Sequence, residues 1–457
     1  MQNIILNSDS YKYSQWNQYP DKTEYVYSYI ESRGGKYDDT VYFGLQMFLK
    51  EYLSHQVTME MIDEAEAVIT AHGLPFYREG WEYIVYEHDG FLPVNIRGVD
   101  EGTILPTSNV LVDIWNTDPK CWWLVSFLET ALLRAIWYPT TVATNSYYSK
   151  KIILNALERT GDPSLIDFKL HDFGARGVSS LESAGIGGLA HLINFMGTDT
   201  VESLLFARKY YNTKDIVGFS IPASEHSTIT SWGRENEARA YSNILQKHAK
   251  PGGLVACVSD SYSIFEACKM WGTILKDQVL KSGATLVVRP DSGDPAAVVT
   301  KCVQILDKYF GHTVNDKGFR VLNNVRVIQG DGIDHSSIRS ILYSLEMANY
   351  SADNVTFGQG GALLQQVNRD TLKFAMKCSA ICVDGEWRDV YKDPITDPGK
   401  KSKRGMLDLI KVGDEYRTIK LETGAPVGPS LLKTRFRNGA LQNQVTFEQV
   451  RNNAKNG

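Results

Sequence analysis

The run LVVRPDSGDP, Leu286–Pro295, begins as an apolar strand and ends as a polar elbow. Branched aliphatic residues suit a buried strand, and Asp, Ser, Gly and Pro suit a turn. A tight surface turn explains that composition. So does a binding loop in which Arg289 grips an anion and Asp291 handles a sugar hydroxyl or a metal. One loop does not decide between these readings, but its recurrence does.

The same design repeats from about residue 165. DFKLHDFGARG runs into SSLESAGIGGLAHLINF, IVGFSIPASEHS into TITSWGRENEARAYSNILQKHA, and LVACVSDSYS into IFEACKMWGTILKDQVLKSG. TLVVRPDSGDP leads to AAVVTKCVQILDKYF, NVRVIQGDGID to HSSIRSILYSLEMANY, and NVTFGQGG to ALLQQVNRD. Six strand–loop–helix units in series predict a parallel sheet that closes into an α/β barrel. All the loops after its strands then lie on one rim, where such folds build active sites. In order they carry His171, Asp172 and Arg176; Glu225 and His226; Asp260; Arg289 and Asp291; Asp331; and Gly360 with Gly361.

These groups fall into three chemical kinds. The glycines of GDG (330–332) and GQGG (358–361) let backbone N–H groups approach phosphate oxygens, although glycine pairs also serve plain turns. Arg176 and Arg289 offer forked donors to phosphate, or form structural ion pairs. Asp260, Asp291 and Asp331 could hold ribose hydroxyls or Mg²⁺, while helix capping suits Asp260 and Asp291 equally well. Together they fit a phosphorylated sugar with a pyrophosphate and Mg²⁺. His226, beside Glu225 at a helix start, reads as a structural histidine, a general base or an acceptor of a phosphoryl group. Neither GxxxxGK[ST] nor GxGxxG occurs.

The chain has 457 residues, 43% hydrophobic and 22% charged, with a net charge of -5. That length predicts more than one core, and that charge argues against a nucleic-acid binder. MQNIILNSDSYK has no signal-peptide pattern. The most apolar long segment, 121–137, is interrupted by Glu129 and Arg134 and reads as a buried helix rather than a membrane span. Six scattered cysteines read as free thiols in a reducing cytoplasm; Cys378 and Cys382 have no second pair to make a zinc site.

Strand-like runs TEYVYSYIES, LPVNIRGV and SNVLVDIW mark the N-terminal third. MEMIDEAEAVITAHG reads as a helix closed by Gly73, and NSYYSKKIILNALERTG as one opened by Asn145 and closed by Gly161. After about residue 375 the pattern is β-like again. The expected organisation is an α+β region at 1–150, the barrel at 151–375, and a β-rich segment at 376–457 returning to pack with the N-terminal domain.

Nine ordered motifs carry a family resemblance: SDSYK (8–12), KLHDFGARGVSS (169–180), GTDT (197–200), PASEHSTIT (222–230), VSDSY (258–262), RPDSGDP (289–295), RVIQGDG (326–332), FGQGG (357–361) and KDPITDP (392–398). The chain resembles the nicotinamide phosphoribosyltransferase family of type II phosphoribosyltransferases. The resemblance implies an irregular parallel α/β barrel with a β-rich domain formed from both chain ends. It implies a cytoplasmic homodimer with shared active sites and no membrane or nucleic-acid partner. The implied substrates are nicotinamide and phosphoribosyl pyrophosphate, with Mg²⁺ held mainly by the pyrophosphate.

Position by position, it implies that Phe173 and the partner protomer's Tyr11 sandwich the pyridine ring, and that Asp199 accepts from the carboxamide. Arg289 reaches the carboxamide region and phosphate, and Arg176 holds pyrophosphate. Gly330, Asp331, Gly360, Gly361 and Arg369 surround the ribose phosphate, Lys377 and Lys392 add phosphate contacts across the dimer, and Asp260 and Asp291 support the ribose or its metal. His226 takes a phosphoryl group from ATP, with Glu225 orienting its imidazole. The chain departs from the pattern at Ala175, where animal members have tyrosine, and at Gln359, where serine is expected. The basic run 399–405 reads as a solvated loop or, by the resemblance, as a mobile segment near the site. Alternatives on the same residues are a nicotinate phosphoribosyltransferase, another phosphosugar barrel enzyme, or a non-catalytic binding protein; an aldolase-type barrel would need a rim lysine that these loops lack.

Overall fold

The computed structural model describes residues 3–396, 401–421 and 428–455. The chain forms two compact units: residues 1–144, 207–214 and 368–457 make one, and 145–206 with 215–367 make the other.

In the second unit the strands order as 197–198, 170–172, 355–359, 325–329, 285–289 and 254–258, all parallel. Both edges of this sheet meet the same segment. Phe219 bridges Gly197 at one edge, and Ala223 bridges Ala256 at the other. Residues 219–223 therefore close the barrel, although they form no regular strand. Pro222 has no N–H to give to a ladder, which keeps the closing segment irregular. The sequence reading IVGFSIPASEHS as a strand is corrected here, and the two-residue strand at Gly197–Thr198 is a barrel member that the six-unit pattern did not count.

Helices Ile264–Gly272, Pro295–Phe310 and His335–Met347 sheathe the sheet. Trp271, Val303, Leu306 and Ile341 bury their apolar faces with the outward residues Leu286, Val288, Val327 and Phe357 of the strands. Their caps settle an ambiguity of the sequence. Ser263 and Asp294 cap the first two of these helices, the latter accepting from Ala297 N at 2.8 Å. Asp260 and Asp291, which also suited capping, are thereby left for the rim.

In the first unit a seven-stranded sheet runs 386–389, 374–383, 23–32, 110–116, 94–98, 433–437 and 440–441. Strands from both chain ends interleave in it, as expected for the β-rich domain. The apolar segment after Cys121 is helical, but the helix predicted to open at Asn145 instead runs unbroken over Glu129–Thr160. Asn145 lies inside that helix rather than at its start, and its amide donates to Ala362 O at 2.9 Å. Among the described residues no helix is long and apolar enough to cross a membrane. All six cysteines are free. Gly399 and Lys400, which begin the basic run, lie outside the described residues, as do the last two of KDPITDP.

Candidate active site

The barrel mouth has an apolar floor. Ala256, Val287 and Ile328 cluster there with Phe173 and Ile221. Phe173 is set by its N–H, which donates to Gln359 O at 3.0 Å. Its ring lies against two glycines. A Cβ on Gly358 would stand 1.9 Å from Phe173 Cε2, and one on Gly330 would stand 3.0 Å away. These glycines, read from sequence as phosphate contacts, are also what lets the aromatic ring sit in the mouth. The Arg289 guanidinium carbon lies 5.6 Å from the Phe173 ring centre, and its Nη2 donates to Asp291 Oδ2 at 2.8 Å.

Two histidine–carboxylate pairs stand on the rim. His171 Nε2 lies 2.9 Å from Asp199 Oδ1, and Ser220 Oγ donates to the same oxygen at 2.7 Å. Burial pushes the Asp199 carboxyl up, but the hydrogen bonds from His171 and Ser220, with the charges of His171 and Arg289, bring it below the usual carboxylate range. His226 Nε2 lies 2.8 Å from Asp260 Oδ1, and Ser292 Oγ donates to Asp260 Oδ2 at 2.6 Å.

The imidazole of His226 is thus oriented by Asp260, not by its neighbour Glu225, as the sequence reading had it. Glu225 precedes the helix His226–Thr230, is exposed, and accepts from Ser227 Oγ. The pairing that matters spans 34 residues, and no local spacing announces it. Ser220 and Ser292 were likewise missed, being ordinary loop serines until the fold sets them beside carboxylates.

Asp172 ends the strand Leu170–Asp172 at the rim and is buried there. It accepts from Gly174 N at 2.7 Å, and burial pushes its carboxyl up. It shapes the loop that carries Phe173 and Arg176. Arg176 and Asp331 are exposed. No atom would lie within 4 Å of a Cβ on Gly361, so that backbone is open to a ligand. The helix that follows, Gly361–Leu364, is a single turn; backbone N–H groups rather than a long helix dipole are what it can offer an anion.

The family model for the nicotinate phosphoribosyltransferase (NAPRTase) family matches residues 168–440, and the model for the nicotinamide phosphoribosyltransferase N-terminal domain matches residues 3–96. The sequence is 55% identical to a nicotinamide phosphoribosyltransferase of Xanthomonas campestris pv. campestris, over 99% of this chain and 98% of the other. The chain belongs to the nicotinamide phosphoribosyltransferase family. A nicotinamide phosphoribosyltransferase of Acinetobacter baylyi is 30% identical over 97% of this chain and 95% of its own. The nicotinate-nucleotide pyrophosphorylase structure from Pyrococcus furiosus superposes with a TM-score of 0.65 at 14% identity, covering 99% of this chain and 95% of that one. Human nicotinic acid phosphoribosyltransferase gives 0.54 at 15% identity, covering 98% and 93%. At these identities the two structures establish the shared fold.

The remaining site residues of the nicotinamide phosphoribosyltransferase pattern belong to the first unit. Arg369, Lys377 and Lys392 line a hollow of about 660 Å³ with Arg33, Lys373 and Glu129. Burial, followed by the charges of Arg33, Arg369 and Lys12, outweighs Glu129 and lowers the Lys377 ammonium from its ordinary value. Crowded cations of this kind suit an anionic ligand. Tyr11 is 57% exposed on a 3₁₀ helix, with Lys12 Nζ 5.1 Å from its ring centre. Of the two departures from the pattern, Ala175 is exposed and Gln359 is buried.

Proposed function

We propose that this protein joins nicotinamide to the ribose of phosphoribosyl pyrophosphate, giving nicotinamide mononucleotide and pyrophosphate in NAD salvage. The observation that carries this reading is Asp199: an ionised carboxylate on the rim whose barrel floor holds Phe173. Its free oxygen suits the carboxamide NH₂. Nicotinate would set a second carboxylate against it.

In the reaction, the pyridine nitrogen forms a bond to ribose C1 as the C1–O bond to pyrophosphate breaks, and the electron pair leaves with pyrophosphate. No proton need move. The ring nitrogen gains positive charge, which an aromatic face favours by about 0.5–2 kcal/mol. Phe173 supplies one such face, and the exposed Tyr11 supports a second given by the partner in a homodimer. Arg176, Arg289 and the open backbone at Gly360 and Gly361 would neutralise the phosphates, and the resemblance has Lys377 and Lys392 of a partner protomer add phosphate contacts. Asp331, which is exposed, would accept a ribose hydroxyl. Catalysis is then mainly positioning and charge stabilisation.

Mg²⁺ belongs with the substrate. Asp260 and Asp291 are each already hydrogen-bonded, to His226 with Ser292 and to Arg289, and make no protein cage for it. Among the described residues the one grouping of three metal-ligating side chains is His88, Asp118 and Cys121, in the first unit.

ATP would phosphorylate His226. Asp260 engages Nε2, leaving Nδ1 to form the N–P bond as the bond from the γ-phosphorus to ADP breaks. Free thiols support a cytoplasmic setting.

The test offers the purified protein both bases with phosphoribosyl pyrophosphate and Mg²⁺, with and without ATP, and identifies the mononucleotide. Nicotinamide mononucleotide, with ATP raising its yield, is expected. Preferential nicotinate mononucleotide would reassign the base, and no product with either would leave only a binding role.

A further inference from the structure

We propose that His171 is a specificity-determining positioning residue: it fixes the torsion of Asp199 so that one carboxylate oxygen alone faces the base. This rests on the reading of Asp199 as acceptor for the carboxamide.

The geometry is specific. Asp199 follows the strand Gly197–Thr198, and its two donors come from the neighbours on either side. His171 pairs with Gly197 in the adjacent strand, and Phe219, which precedes Ser220, bridges Gly197 from the closing segment. Both donors land on Oδ1, and Oδ2 accepts no hydrogen bond among the described residues. A carboxylate held by one oxygen from two sides cannot turn over, so Oδ2 is the acceptor left for a ligand. Asp199 stays half exposed, at 49% of its side chain, while His171 is at 13%. The imidazole is locked in turn. Its ring lies 5.2 Å from that of Phe173, tilted by 57°. A Cβ on Gly197 would stand 2.6 Å from His171 Nδ1, so glycine there makes room for the ring. His171 therefore touches the acid that chooses the base, and the aromatic ring beside it.

The consequence is that His171 acts through Asp199. His171→Leu is expected to raise KM for nicotinamide about tenfold or more, the scale of one charge-assisted hydrogen bond, with a smaller change in kcat. His171→Gln, whose amide nitrogen reaches as far as Nε2, is expected to stay within about threefold of the parent. Gly197→Ala, which displaces the ring without removing it, should reproduce the His171→Leu effect in part.

The deciding measurement is a double-mutant cycle read by nicotinamide KM on folded variants, with thermal melting as the control. In an Asp199→Ala background, His171→Leu should have no further effect. Additive losses, or a Gln variant that melts normally yet binds as poorly as Leu, would overturn the proposal. Should Asp199→Ala alone leave nicotinamide KM unchanged, the assignment of Asp199 itself would fall, a separate outcome from failure of the cycle.

Discussion

The two histidine–carboxylate pairs use nearly the same bond, 2.9 Å for His171–Asp199 and 2.8 Å for His226–Asp260, and each carboxylate also takes a serine. They differ in which partner is hidden. In the first, the histidine is 13% exposed and the acid 49%; in the second, the histidine is 47% exposed and the acid 6%. The fold has turned one device around. Where the acid faces outward, the pair presents an acceptor, fit to read a neutral amide. Where the imidazole faces outward, it presents a nucleophile, fit to receive a phosphoryl group. Pairing alone does not assign a role; the exposed partner does.

The largest expected effect breaks the outward-imidazole pair. His226→Ala should abolish covalent label from γ-labelled ATP and any stimulation by ATP, while slow product formation persists. Asp260→Asn should lower phosphoryl uptake at least about a hundredfold, the scale of losing an orienting partner in acid–base chemistry. Rapid-quench labelling measures both. Label retained on the alanine variant would refute the acceptor assignment.

Next comes the outward acid. Asp199→Asn removes the charge that repels a carboxylate and weakens the acceptor. The ratio of kcat/KM for nicotinamide over nicotinate should fall about tenfold to a hundredfold. Competition assays with both bases read it directly. An unchanged ratio would separate this pair from base choice.

A smaller effect sharpens the comparison by exclusion. Glu225→Gln should alter ATP-dependent labelling less than about threefold, since Glu225 touches Ser227 rather than the imidazole. A loss as deep as that of Asp260→Asn would restore Glu225 as the orienting group.

The smallest effect is on stability. The Asp199 carboxyl lies lower in the folded protein than its ordinary value. The unfolded chain therefore binds more protons across that interval. The stabilisation is fully present above the ordinary carboxylate value and is lost as pH falls through the folded one. Denaturant titrations from pH 7 downward should show the parent losing stability relative to Asp199→Asn only at the acidic end. A difference that instead grows as pH falls would contradict the sign.

The sequence made the barrel legible because apolar runs such as TLVVR and NVRVI end in polar loops before periodic helices. It brought Arg289, Asp291, Asp260 and His226 to one rim for the same reason. Three things were hidden. Phe219–Ala223 has the composition of a strand, and only its backbone shows that Pro222 prevents one. Gly330 and Gly358 advertise phosphate binding, and nothing local announces that they also make room for Phe173, an aromatic far off in the chain. Glu225 drew attention by adjacency to His226, but the true partner came from another strand end. All three have the same source: local chemistry states what a residue can do, and non-local packing chooses among those abilities.

The closing segment carries a final consequence. Four backbone hydrogen bonds stitch it in, from Thr198 N, Phe219 N, Ala256 N and Ser224 N, where the neighbouring strands have continuous ladders. The barrel thus has a hem. Ser220 hangs on one side of it, holding Asp199, and His226 follows just beyond the other. Ser220, which donates to Asp199, and His226 are thus tied to the barrel through one short, sparsely bonded thread.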